Sequence, residues 1–462
     1  MTTQTETSVE TPATTFPAGF RWGVATASYQ IEGAAQEDGR APSIWDTFSR
    51  TPGRVADGHT GQVACDHYHR YAEDIAIMRG LGVGTYRFSL AWPRIQPDGS
   101  GPINPKGLDF YDRLVDGLLE AGIAPMATLY HWDLPQTLED AGGWPNRDLA
   151  SRFADYALAA YARLGDRVPT WTTLNEPWCS AFLGYCSGRH APGRIEPANS
   201  FRAAHTLMLG HGLAARALRA AGAQEVSVTV NLSPAIPRTL SDPHDQAAAR
   251  LLDGLHNRIF LDPLLLGRYP TDMLAHMERF CGLDHIRTGD EETIAAPIDF
   301  LGVNYYMPTM VAAQVGQPSS DQFPGTEGVL FLDPDVPQTG MGWPIDADSF
   351  HTLLVRLHRD YPGTPIMITE NGSSFPDVVV GDTVQDADRI GYFDGHLRAV
   401  AGAIADGVDL RGYLAWSLLD NFEWGYGYDK RFGLVHVDYA TQQRRLKASA
   451  HWYKDVIANN SL

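Results

Sequence analysis

Two short strings hold carboxylates that could form a catalytic pair: Thr173-Leu-Asn-Glu-Pro177, with Glu176, and Ile368-Thr-Glu-Asn-Gly372, with Glu370. Each carboxylate ends an apolar, β-branched run that reads as a buried strand, with aromatic residues close by. Two carboxylates brought to one cleft are the minimum equipment for cleaving a glycosidic bond by acid/base and nucleophilic catalysis. Pro177 blocks further strand pairing and forces a turn after Glu176. Among Trp171, Trp178 and Phe182, that carboxyl should be partly desolvated, which raises its pKa as a general acid requires. Glu370 precedes Asn-Gly, a turn signal. As a nucleophile it must stay ionised, which calls for a cation or donors nearby. Arg87, in Tyr-Arg-Phe-Ser, is the candidate cation, and Tyr306, in Asn-Tyr-Tyr, the candidate donor. A lone Asn-Glu-Pro is more often a loop cap; the two strings together carry the argument.

A sugar needs donors and acceptors for its hydroxyls and flat apolar faces for the C–H side of its ring. The polar candidates are Gln30, His131, Asn175, Asn304 and Glu423. The flat candidates are Trp132, Trp178, Trp343, Trp416 and Trp424. A single Trp is usually core. Here they recur beside polar residues at strand ends, which favours a binding role.

Those strand ends belong to eight apolar runs, at 20–27, 85–92, 124–130, 170–175, 226–232, 298–306, 365–370 and 412–418. Amphipathic helical patterns lie between them, at 66–81, 107–122, 148–164, 201–221, 350–361 and 386–407. Strands joined by helical crossovers pair in parallel. Eight of them predict a single-domain α/β fold, a (β/α)8 TIM barrel with long active-site loops at the C-terminal face of the strands. A doubly wound open sheet would want a Gly-rich phosphate turn after its first strand, where this chain has Ser28-Tyr-Gln-Ile-Glu-Gly33. The Gly/Pro/Ser-rich stretch 315–346 follows the sixth strand and carries Trp343, so it is expected to form a wall of the site. Residues 1–15 read as a disordered tail without the features of a secretory signal, and 16–458 as the barrel domain.

The chain has 462 residues and a formal net charge of -19. That balance disfavours nucleic acid and anionic membrane surfaces as partners and leaves homo-oligomerisation open. No run is long and apolar enough for a transmembrane helix. Cys65, Cys179, Cys186 and Cys281 form no Cys-x-x-Cys pair, which fits inert thiols in a reducing compartment, so a cytoplasmic location is expected. Cys179, Cys186 and His190 match no standard zinc spacing. His67 and His69 would point apart on a helix, with Asp66 expected as its N-cap.

Taken together, the motifs resemble those of family-1 glycoside hydrolases, the β-glucosidase family. They run from Phe20-Arg-Trp-Gly-Val-Ala-Thr-Ala-Ser-Tyr-Gln-Ile-Glu-Gly33 through Tyr86-Arg-Phe-Ser89, His131-Trp-Asp-Leu-Pro135 and the Glu176 string. Asn304-Tyr-Tyr306, the Glu370 string, Trp416-Ser-Leu-Leu-Asp-Asn-Phe-Glu-Trp424 and Arg431-Phe-Gly433 complete the set. The resemblance implies a retaining, exo-acting β-glucosidase with β-galactoside or β-fucoside tolerance and transglycosylation, needing no cofactor or metal. It implies Glu176 as acid/base and Glu370 as nucleophile, about 5–5.5 Å apart, with Arg87 and Tyr306 holding Glu370. Gln30, His131, Trp132, Asn175, Asn304, Glu423, Trp424 and Phe432 would bind the non-reducing sugar, Asn175 at its 2-hydroxyl. Trp416 would lie under that sugar, and Trp178 and Trp343 on the leaving-group side. A 6-phospho-β-glycosidase would usually have Ser in place of Glu423, whose carboxylate is expected to repel a phosphate that one nearby lysine, Lys430, does not offset. A non-catalytic sugar-binding relative would usually have lost one carboxylate, and a thioglucosidase tends to have Gln in place of Glu176.

Overall fold

The computed structural model describes residues 14–381 and 383–462. Eight strands close into a parallel barrel: β1 Arg21–Ala25, β2 Thr85–Ser89, β3 Ala124–Tyr130, β4 Thr170–Asn175, β5 Glu225–Asn231, β6 Phe300–Asn304, β7 Ile366–Asn371 and β8 Leu410–Trp416. Their neighbours follow chain order, and the ring closes where β1 runs beside β8, with Arg21 opposite Gly412. The strands are apolar on both faces because both are covered: side chains fill the barrel, and helices pack outside. Ala25, Met126, Phe300, Met367, Leu414 and Trp416 make a small inner core, separate from the outer one.

All six helices read from periodicity are present: α1 His67–Gly80, α2 Pro105–Glu120, α3 Asp148–Leu164, α4 Pro197–Ala221, and later Ala347–Asp360 and Ala387–Ala405. In α2 the buried stripe is Leu108, Tyr111, Leu114, Val115 and Leu118, while Leu119 faces outward. Asp66 stands at the N-cap position of α1 but does not cap it. Its backbone is left-handed (φ 51°), and its carboxylate binds His69 and Arg70 instead. His67 faces inward to Asp74 and His69 outward to Glu37, so the two rings point apart as expected. Periodicity passed over Pro243–Asp253, Ile259–Leu266 and Thr271–Cys281, which pack beyond β5.

The stretch 315–346 is partly regular. Val329–Leu332 pairs with Thr309–Ala313, which pairs with Ala235–Pro237, giving a small sheet above the ends of β5 and β6. Residues 1–13 of the expected tail lie outside the described residues. Thr14 and Thr15 extend the ordered fold: Thr15 bridges Ser461, and Thr14 accepts a hydrogen bond from the amide of Leu462 at 2.9 Å. The folded unit therefore reaches past the expected boundaries at 16 and 458. Among the described residues, no helix is long and apolar enough to cross a membrane.

Candidate active site

Glu176 and Glu370 meet at the C-terminal mouth of the barrel, on the wall of one cavity of about 720 Å³. They are 5% and 3% exposed. Strand pairing slips just before each of them, between Thr172 and Asn175 on β4 and between Ile368 and Glu370 on β7. Such bulges re-aim side chains at the rim of a barrel. Glu176 also has a left-handed backbone, φ 48°, as do Trp132 (φ 77°) and Trp424 (φ 48°) on the same cavity. Non-glycine residues held there cost about 1–3 kcal/mol each and gather at functional sites. After Glu370 the chain passes so close to Trp416 that a Cβ on Gly372 would lie 1.7 Å from its carbonyl oxygen, so only glycine fits.

A continuous chain of hydrogen bonds joins the carboxylates. Arg87 donates to Glu370 Oε1 (2.5 Å) through Nη1 and to Asn175 Oδ1 (2.6 Å) through Nη2. Asn304 Nδ2 donates to the same Asn175 oxygen (3.1 Å) and to Glu176 Oε1 (2.6 Å). Tyr306 donates to Glu370 Oε2 (2.8 Å), and Thr369 fixes the Asn304 amide by donating to its oxygen (2.8 Å). Because Asn175 Oδ1 accepts from two donors, its Nδ2 must face His131 Nε2, at 3.1 Å. His131 Nε2 therefore accepts, and the proton sits on Nδ1. Burial and the nearby Arg87 charge hold this imidazole well below its usual pKa, so it is neutral.

Among the described residues, three carboxylates share this cavity with one buried cation, Arg87 behind its wall, and that imbalance sets their protonation. Burial, then the charge of Glu370, pushes Glu176 up to about 8. Burial and the charges of Glu370 and Glu176 also push Glu423 up to about 8. Burial raises Glu370 too, contrary to an expectation of simple stabilisation, while Arg87 and then Tyr306 oppose the rise. With Arg87 against it, Glu370 ionises before Glu176. Glu423 is thus mostly protonated at neutral pH, and repulsion of a phosphate by its charge is a weaker argument than the sequence suggested. Lys430 also faces elsewhere: it donates to the Gly340 carbonyl (2.7 Å) and lies over the Tyr426 ring.

Of the other expected residues, His131, Trp132, Trp178, Asn304, Tyr306, Trp343, Trp416, Glu423, Trp424 and Phe432 all line the cavity. Arg87 and Asn175 are fully buried behind it. Gln30 is not at a strand end. It sits in a helical turn, Ser28–Ile31, and its Nε2 donates to Asn421 Oδ1 (3.0 Å) and the Phe422 carbonyl (2.8 Å). Among the described residues, Gln30 Oε1, His131 Nδ1 and Glu423 Oε2 are buried without a partner, an acceptor and two groups able to donate. Trp178 and Trp343 lie on different walls: Trp178 stacks on His256 (4.5 Å) beside Phe323, and Trp343 packs on Tyr306 (5.5 Å) and Phe432.

Sequence reasoning missed Asn231, His256, Phe323, Phe331 and Cys179, all on the cavity wall. Asn231 is a polar residue ending β5, the signal that marked Asn175. Cys179 follows Glu176 by three residues at the start of a turn, and its thiol lies 3.3 Å from Glu176 Oε2 rather than with Cys186 and His190 as a metal site.

The sequence model for "Glycosyl hydrolase family 1" matches residues 12–462. The chain is 57% identical to the thermostable beta-glucosidase B of Thermobispora bispora, over 97% of this chain and 91% of that protein. It is 49% identical to the bifunctional beta-D-glucosidase/beta-D-fucosidase of Bifidobacterium breve, over 96% and 99%. The crystal structure of a psychrophilic beta-glucosidase from Micrococcus antarcticus superposes with a TM-score of 0.94 at 49% identity, over 97% of this chain and 98% of that one.

Proposed function

The chain belongs to glycosyl hydrolase family 1, and from that premise we propose that it is a retaining, exo-acting β-glucosidase. It removes terminal β-D-glucosyl residues from cellobiose-type oligosaccharides and from aryl or alkyl β-glucosides. The observation that carries this reading is the unequal treatment of two buried carboxyls in one cavity: Glu370 is paired with Arg87, and Glu176 is not. In the first step the ionised Glu370 forms a bond to the anomeric carbon. The bond to the leaving oxygen breaks, and Glu176 gives that oxygen its proton. The resulting ester removes the charge of Glu370, so the pKa of Glu176 falls. Glu176 then takes a proton from water, which attacks the same carbon and frees Glu370. An alcohol in place of water gives transglycosylation.

The unpartnered atoms of Gln30, His131 and Glu423 support recognition of a polyol, each meeting a hydroxyl. The second proton of Asn175 Nδ2 meets the 2-hydroxyl, and Trp416 lies under the ring. The name of the Bifidobacterium breve relative supports fucoside side activity. A cytoplasmic location is supported by four buried, free thiols. The test is hydrolysis of an aryl β-glucoside followed by NMR. Release of the β-anomer first supports the reading; release of the α-anomer, or no turnover, sinks it.

A further inference from the structure

Glu176 needs two donors to fix its carboxyl plane, and the cavity supplies one obvious one. Asn304 Nδ2 binds Oε1; among the described residues, the only donor to Oε2 is the Cys179 thiol, at 3.3 Å. The local fold brings it there. The amide of Cys179 donates to the Glu176 carbonyl (3.0 Å), so the chain turns back over the carboxyl. Cys179 then opens a π-helical segment, Cys179–Cys186, in which the amide of Ser187 reaches back to the Phe182 carbonyl. Wide turns of this kind often lie at functional sites.

The other charged or titratable groups that bear on Glu176 are spoken for. Arg87, from β2, binds Glu370 and Asn175. Glu370, from β7, is acidic and disfavours its ionisation, while Glu423, after β8, is itself pushed up by the charges of Glu370 and Glu176. Tyr306, after β6, donates to Glu370, and His131, after β3, is neutral. Burial and the neighbouring carboxylate keep the Cys179 thiol protonated, well above the usual thiol range. It is a standing S–H donor aimed at a carboxylate oxygen that has no other among the described residues.

We propose that Cys179 is a positioning residue for the reaction: its thiol donates to Glu176 Oε2, holds the carboxyl in one rotation with Asn304, and favours the ionised form that the second step uses. The proposal rests on the reading of Glu176 as acid/base. Removing a donor to the ionised form makes Glu176 harder to ionise, so the alkaline limb of kcat/KM moves upward. A thiol is a weak donor, so the expected movement is about half a pH unit.

The experiment is the pH profile of kcat/KM on an aryl β-glucoside for Cys179→Ala, Cys179→Val and Cys179→Ser beside Glu176→Ala. Melting temperatures show that each variant is folded, and the near-isosteric Cys179→Val serves if Cys179→Ala is not. The alkaline limb is expected to move up in Cys179→Ala and Cys179→Val and to return in Cys179→Ser, whose hydroxyl can donate. Limbs of Cys179→Ala and Cys179→Val that superimpose on the parent, with the limb lost in Glu176→Ala, overturn the role of the thiol alone. A Cys179→Ser limb that tracks Cys179→Ala traces the shift to volume and also overturns it. An alkaline limb that survives in Glu176→Ala overturns the reading of Glu176 itself, and the role of the thiol with it.

Discussion

The floor of the cavity and its rim are built from different materials. The floor is made by Arg87 in the middle of β2 and by residues at the ends of β4, β6 and β7: Arg87, Asn175, Glu176, Asn304 and Glu370 form one hydrogen-bonded chain, nearly every atom of it buried. The rim on the side of Trp178 is an aromatic wall with almost no such bonding. Trp178, His256, Phe323 and Phe331 touch by ring contacts of 4.5 to 5.7 Å, and the last two come from the loop after β6 and its small sheet. A charge-coupled floor tolerates little change, because removing one partner strands another in low dielectric. A wall of ring contacts can be trimmed, at a cost of fit rather than of chemistry.

That contrast is tested first at its strongest point. Glu370→Gln removes the nucleophile, and kcat is expected to fall by roughly four orders of magnitude or more with the melting temperature nearly unchanged. Near-parent activity would break the comparison at once. Glu176→Ala is expected to cost about 10²–10⁴-fold in kcat/KM on a glucoside with a poor leaving group. Little is lost in the first step on a dinitrophenyl glucoside, whose leaving oxygen needs no proton.

The protonation of the floor gives the next effect. Since Glu176 is pushed up to about 8, it is protonated and able to act as an acid below that pH. Activity should therefore fall about tenfold for each pH unit above it, once the limb is established. A limb in the range of an ordinary carboxyl would mean that Glu176 is not the group that titrates. Glu423→Ser, measured on an aryl β-glucoside and on its 6-phosphate, should lower kcat/KM for the neutral sugar by about 10–100-fold, the loss of a hydrogen bond to a charged or buried partner. The parent should prefer the neutral sugar, and a preference for the phosphate would shift the function to phosphorylated glycosides. The smallest change belongs to the rim. Phe323→Ala is expected to raise KM about three- to tenfold for large apolar aglycones and to leave kcat on methyl glucoside unaltered, a loss of ring contact alone. A large drop on methyl glucoside would show that wall and floor are coupled after all.

The same division decides what could be read from the chain. All eight strands were legible, because parallel strands buried on both faces are continuous apolar runs, and polar residues at their ends stand out. The floor was legible for that reason, down to the partners of Glu370. The raised pKa of Glu176 was legible from its aromatic neighbours; that of Glu423 was not, because one cation among three carboxyls, counted among the described residues, is a fact of packing. Between 243 and 281, Ile259–Leu266 was missed because Pro263 and a wide turn at Gly254–Arg258 break its period. Phe323 and Phe331 were missed because a rim residue has no periodic neighbours to mark it. Cys179 was missed because a thiol three residues past a glutamate meets it only if the chain turns there.

Barrel closure has a consequence for how the enzyme is made. Arg21 of β1 pairs with Gly412 of β8, so the first strand has one open side until the last strand is synthesised. At roughly 5–20 residues per second, that wait is ~20–80 s. Gln30 waits equally for Asn421 and Phe422, and Glu176 waits for Glu370. No nascent chain short of β8 holds a complete sugar pocket. Appearance of activity during synthesis is therefore a clock for the final step of folding, and a pulse of labelled chains assayed over time would read barrel closure directly.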